Sequence, residues 1–360
     1  MKTKILFLAP VIALTLSGCS LHGKSYEVKD YRSWMDDYHD NYRVLQLTDV
    51  HLGDKDNQDL HYKFLDKLIT EQKDKGVDFL VITGDLFTFA SKGTAKRFFN
   101  TIESYKIPWT VTFGNHDEQC YFSIDWMSDY LNGLRKKEGS YCKFKDWKDD
   151  NIPGNCNHYI DLMKDGKVFE QLIFLDTERY NFNPKDLYYD YVKDEQIQWY
   201  RGVVNEALYD TEIGNAESRS IMFYHIPLPE INDALKTVKS DLKPQQEAIF
   251  VEKEGADNHD NNMYYREATC PPNTNSGLFT AMHEDALLVG GKPHTTDMLF
   301  GHDHRNNFRI TYQDVTFAYG LKATNRIYYD DDMLGSQVIT IHSDHTVSYE
   351  QFYHTYAEVK

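Results

Sequence analysis

The chain has 360 residues, of which 41% are hydrophobic and 14% aromatic, enough to build the core of one large domain or of two ordinary ones. Its formal net charge of −17 argues against a non-specific nucleic-acid binder, which needs a basic face, so no nucleic-acid partner is expected. A small phosphorylated substrate stays open, because bound divalent metals can reverse the local field.

Lys2 and Lys4 precede an apolar run from Ile5 to Leu16, which reads as a secretory signal too short to span a bilayer stably. Leu16-Ser17-Gly18-Cys19 resembles the lipobox of bacterial lipoproteins. That resemblance implies a signal peptide over residues 1–18, with Cys19 as the lipidated first residue of the mature chain. It also implies anchorage to a bacterial membrane, facing the periplasm or the cell exterior. Residues 19–40 are polar and read as a tether, followed by a single domain over 41–356 with polar insertions at about 118–166 and 228–275. Cys120, Cys142, Cys156 and Cys270 remain. An even number in an exported chain predicts disulfides with three possible pairings. Cys142 with Cys156 would close a short polar loop and leave Cys120 for Cys270.

Tyr42 to Thr48 reads as a first strand ending at Asp49-Val50-His51. Leu60, Phe64, Leu65, Leu68 and Ile69 then fall at helical spacing, with Gly76 as the stop. Val77 to Thr83 is nearly all apolar, as in a strand covered on both faces, and ends at Gly84-Asp85. Strand, helix and strand make a βαβ unit, so the two strands should be parallel. Trp109 to Thr112 is a further strand, and Gly114 breaks it so that Asn115 and His116 sit at its carboxyl end, where open α/β sheets place ligands. Phe169 to Leu175 ends at Asp176, and a helix over 194–208 follows with Asp194 as its cap. Ile221 to Tyr224 delivers His225, and Met298 to Phe300 delivers Gly301-His302-Asp303-His304. Residues 308–353 read as closing antiparallel strands, with 338–341 and 346–349 joined at Ser343-Asp344.

Five strand ends thus carry Asp49 and His51, Asp85, Asn115 and His116, His225, and His302 and His304. Side chains at i and i+2 of an extended segment point the same way, so Asp49 with His51, and His302 with His304, can each grip one ion. Mixed oxygen and imidazole donors suit Mn, Fe or Zn rather than calcium. Seven such donors are too many for one ion and suit two that share a carboxylate. Asp176 reads as a capping residue and Asp303 as pointing away from its neighbours. His158, His259, His283 and His294 read as ordinary surface histidines.

In order and spacing, Asp49-x-His51, Gly84-Asp85, Gly114-Asn115-His116-Asp117, the lone His225 and Gly301-His302-x-His304 resemble the calcineurin-like metallophosphoesterases. Tyr224 to Glu230 and Asn275 to Thr280 are similar to a purple-acid-phosphatase-like branch. The resemblance implies an α/β fold of four layers, αββα, with two mixed sheets between helices. It implies that Asp49, His51, Asp85 and His304 hold one ion, and that Asp85, Asn115, His225 and His302 hold the other, Asp85 bridging. The metals would be two divalent or mixed-valence ions of Mn, Fe or Zn. They would activate a bridging hydroxide against a phosphomonoester, with His116 as general acid. A phosphodiesterase acting on cyclic nucleotides, nucleic acid or lipid head groups is the alternative, and a binding module with a relic site a third reading. Thr88 stands where purple acid phosphatases carry the Tyr that gives their colour, so a colourless enzyme is expected. Protein phosphatases place an acidic partner for the catalytic His at that position, which leaves Asp117 as the candidate here.

Overall fold

A computed structural model describes residues 32–55, 57–146, 151–181, 188–238 and 263–360. The stretch expected to be a signal peptide, Cys19 and His259 lie outside these described residues. The first half runs β1 (Arg32–Asp37), β2 (Tyr42–Leu47), α1 (Gln58–Asp74), β3 (Phe79–Thr83), α2 (Lys92–Ser104), β4 (Trp109–Thr112), α3 (Ile124–Arg135), β5 (His158–Lys164) and β6 (Lys167–Phe174). Then come β7 (Tyr180–Asn181), β8 (Tyr188–Tyr189), α4 (Asp194–Tyr209), β9 (Arg219–Phe223), α5 (Glu230–Val238), α6 (Leu278–Met282), β10 (Leu288–Val289), β11 (Lys292–Pro293) and β12 (Thr295–Phe300). The chain closes with β13 (Arg309–Tyr312), β14 (Val315–Tyr319), β15 (Gly335–Ile341) and β16 (Val347–Tyr353).

Two large mixed sheets result, one of five strands in the order β16-β15-β2-β3-β4, the other of seven in the order β1-β5-β6-β9-β12-β14-β13. β2 and β3 pair in parallel across the α1 crossover, as their sequence required. Residues alternate faces along each strand, and that alternation sorts the core into layers. Val44, Phe79 and Val81 of the smaller sheet meet Leu172, Phe174, Ile221, Phe223 and Leu299 of the larger one. The opposite faces, carrying Leu45, Leu80, Ile82 and Val111, pack under Phe64 and Leu68 of α1 and Phe98 and Phe99 of α2. On the larger sheet, Ile173, Met222 and Met298 pack under Trp199, Tyr200 and Val203 of α4 and Ile231 of α5. The architecture is helix, sheet, sheet, helix.

Several expectations are corrected. Residues 32–37, read as tether, form β1, which pairs in parallel with β5. The stretch 118–166 is no simple insertion: it supplies α3, capped where Ser123 accepts from Trp126 N, and β5, bonded between β1 and β6. The cap of α4 is Lys193, not Asp194. The four cysteines are all free thiols. Cys142 and Cys156 sit in the same buried cluster, where Cys156 Sγ accepts from Phe113 N and Cys142 Sγ faces Leu131 O. His158 and His294 are fully buried rather than at the surface. Hydroxyl and carbonyl groups satisfy them: Thr110 and the Cys156 carbonyl for His158, Ser218 and Ser220 for His294.

Candidate metal centre

The carboxyl ends of β2, β3, β4, β9 and β12 meet at one edge of the sandwich, and the seven donor residues named above come with them. All seven are buried. Asp49, His51, Asp85 and His304 each offer an atom within 4.8 Å of the others. Beside them, His225 Nε2 lies 3.2 Å from Asp85 Oδ2, and the His225 and His302 rings meet edge to face at 5.3 Å. Asp85 Oδ2 also lies 3.5 Å from His51 Nε2, so this oxygen stands between the two groups of donors. Its partner Oδ1 is pinned by the backbone N–H of His116, which donates at 2.8 Å.

Backbone shape makes this crowding possible. Asp49, His51, Asp85 and His302 all hold left-handed φ values of 54°, 52°, 49° and 80°, which cost an ordinary residue about 1–3 kcal/mol each. Two glycines let the strand ends approach. A Cβ on Gly114 would fall 2.2 Å from Asp85 Oδ1, and one on Gly301 would fall 1.9 Å from Thr48 Oγ1.

Second partners set the imidazole tautomers. His225 Nδ1–H donates to the Thr83 carbonyl at 2.8 Å and His304 Nδ1–H to the Tyr328 carbonyl at 2.8 Å. With Nδ1 so engaged, each ring turns its Nε2 toward a carboxylate, His304 toward Asp49 Oδ1 at 3.2 Å and His225 toward Asp85 Oδ2, and His304 Nε2 also lies 2.9 Å from His51 Nε2. On a neutral ring that lone pair would face the carboxylate's own unless a cation, a proton or a metal ion, lies between them. Among the described residues, Asp85 Oδ2, Asn115 Oδ1 and His225 Nε2 are buried without any hydrogen-bond partner. Leaving such atoms unsatisfied costs about 1–3 kcal/mol each. The donor set fits metal ions.

The electrostatics agree. Burial would lower the His225 pKa, but Asp85 beside it overcomes this and lifts it to about 9. A proton there is the cation that a metal would displace. Burial disfavours charge on Asp49, yet His304 and His51 hold it well below the usual carboxylate range. Burial and the Asp85 charge push Asp117 up to about 8.

His116 sits half-buried with its ring 4.9 Å from that of His51. Its expected partner Asp117 is otherwise engaged, accepting from Phe87 N and Gly114 N at 2.9 Å each. Gln119 takes that place: its Oε1 accepts from His116 Nδ1–H at 2.8 Å. Thr88 has a use that sequence reading missed, its hydroxyl lying 2.9 Å from His51 Nδ1. Lys322 was also missed; fully buried, it donates to the Asp49 carbonyl at 2.9 Å. Asp176 accepts from Asn155 N and Glu178 N as a loop cap, and Asp303 turns to Tyr319 and Cys270 N.

The profile of the calcineurin-like phosphoesterase family matches residues 42–306. Over 306 residues the chain is 24% identical to probable inactive purple acid phosphatase 29 of Arabidopsis thaliana, which covers 78% of this chain and 71% of that protein. It is 26% identical over 309 residues to phosphatase DCR2 of Saccharomyces cerevisiae, covering 78% of this chain and 47% of that protein. A solved dimetal phosphatase from Danio rerio aligns over 88% of this chain and 100% of its own, with 12% identity and a TM-score of 0.47. Purple acid phosphatase PPD1 from yellow lupin aligns over 92% and 53%, with 13% identity and a TM-score of 0.45.

Proposed function

The chain belongs to the calcineurin-like phosphoesterase family, and from that premise we propose that it is a two-metal phosphomonoesterase acting on small phosphorylated substrates outside the cytoplasm. The observation that carries this reading is the trio of buried, unpartnered atoms, Asp85 Oδ2, Asn115 Oδ1 and His225 Nε2, beside the four-donor cluster. Asp49, His51, Asp85 and His304 would hold one ion and Asp85, Asn115, His225 and His302 the other. Bound there, Mn, Fe or Zn ions supply Lewis acidity to the ester and lower the pKa of water.

His116 is the residue left for proton transfer. Because its Nδ1–H is held by Gln119, Nε2 is the atom that carries a proton to the leaving oxygen. The His116 amide, by fixing Asp85 Oδ1, ties the acid's backbone to the carboxylate between the donor groups. Lys322, drawn down to about 7 by burial, donates to the Asp49 carbonyl and braces the main chain behind that carboxylate. Thr88 supplies a hydroxyl rather than a phenol, which supports a colourless centre.

A panel of monoesters and diesters, assayed with added manganese, tests the reaction. Manganese-dependent turnover of monoesters is expected. Faster diester cleavage would give the site to the phosphodiesterase reading, and no turnover by metal-loaded protein would end both. The exported location rests on Lys2, Lys4, the apolar run and Cys19. Fatty-acid labelling that persists in Cys19→Ala would remove the lipid anchor from the proposal.

A further inference from the structure

Asn115 can serve a cation only with the oxygen end of its carboxamide, and the two ends have nearly the same shape. What distinguishes them here is a tyrosine 65 residues downstream: Asn115 Nδ2 donates to the Tyr180 hydroxyl at 2.9 Å. Oδ1 is left facing the buried interior without a partner. Tyr180 comes from β7, its ring stacked on Tyr189 of β8 at 5.6 Å, and Tyr189 meets the His302 ring edge to face at 4.5 Å. The Gln119 side chain also lies close enough to act on the same Tyr180 hydroxyl, and Gln119 is the group that holds His116. One phenol oxygen therefore joins a metal donor and, through Gln119, the proton-transfer residue. Without it, Nδ2 would be stranded and the amide free to turn N–H, which repels a cation, toward the site.

We propose that Tyr180 is a positioning residue, its hydroxyl locking the Asn115 carboxamide with Oδ1 toward the second ion. The inference rests on the two-ion reading above. Loss of an outer partner of this kind typically costs ~10–100-fold in metal affinity.

Mn(II) alone is the probe, titrated calorimetrically into metal-free full-length protein. Wild type should bind two ions. Tyr180→Phe, which keeps the ring and its stacking, should bind the first as wild type does and the second ~10–100-fold more weakly. Tyr188→Phe, which removes a hydroxyl from the exposed neighbouring ring, should match wild type at both. Tyr180→Gln, whose amide oxygen can accept the same hydrogen bond, should recover part of the loss, and it carries the test if the Phe variant does not fold. A second-ion affinity unchanged in Tyr180→Phe overturns the inference, as does equal weakening at both ions. Wild type binding fewer than two ions overturns the two-ion reading itself, a failure visible before any substitution is made.

Discussion

The five-stranded sheet delivers every oxygen donor of the centre, Asp49, Asp85 and Asn115, with one imidazole, His51, whereas the seven-stranded sheet delivers His225, His302 and His304 alone. The asymmetry has an electrostatic logic. Carboxylates gathered on one sheet raise each other's cost, as the Asp117 carboxyl, pushed to about 8 by burial and then by Asp85, records. Imidazoles from the opposite sheet bring donors without adding negative charge. Close contacts cross the seam: His51 Nε2 lies 2.9 Å from His304 Nε2, and His304 to Asp49 and His225 to Asp85 stand at 3.2 Å each. Neither sheet holds a complete donor set, so the centre exists only once both have docked.

Asp85→Asn breaks this arrangement most. It removes the one oxygen that both donor groups share and should cost about 10³-fold or more in turnover, beyond the loss of a single charge-stabilising group. Elemental analysis should find the metal content collapsed; a full complement of two ions would refute the shared role. His116→Ala sharpens the comparison, because His116 rides on the donor-rich sheet without being a donor. Both ions should stay, while turnover of poor leaving groups falls ~10²–10⁴-fold and that of nitrophenyl phosphate much less. Equal losses on the two substrates would speak against proton transfer by this residue.

The last effect concerns stability rather than turnover, at a seam contact that needs no metal. His158 of β5 reaches Thr110 of β4 at 2.7 Å across the two sheets. Burial lowers its pKa to about 3, against about 6.5 in an unfolded chain. Above pH 6.5 the ring is neutral in both states and carries no penalty. Below it the unfolded chain binds the proton first, so stability should fall by ~1.4 kcal/mol per pH unit until about pH 3. Chemical denaturation of His158→Asn should show that slope reduced by one proton; an unchanged slope would place the titrating group elsewhere.

The strand-end positions of all seven candidate donors could be read from sequence because each follows an apolar run, and several follow a glycine, a local signal of a strand ending in a sharp turn; four of them, Asp49, His51, Asp85 and His304, converge within 4.8 Å. The groups packed around them could not be read that way. Gln119, Tyr180 and Lys322 act through contacts with no periodic signature, and Lys322 reaches Asp49 across 273 residues. Helix α3 did leave a trace, Ser123 before Ile124, Met127, Leu131 and Leu134, which the polar residues between them masked. Edge strand β1, Arg-Ser-Trp-Met-Asp-Asp, has too little apolar alternation to announce itself. Disulfides were expected from parity and export, whereas Cys120, Cys142, Cys156 and Cys270 are all free thiols.

The left-handed turns at Asp49, His51, Asp85 and His302 bear on anyone who would move this chemistry to another scaffold. Seven side chains grafted onto relaxed strand termini would carry the right elements at the wrong angles, since the peptide units beneath four of them are wound against their natural preference. The transferable unit is the contorted main chain together with the packing that keeps it bent.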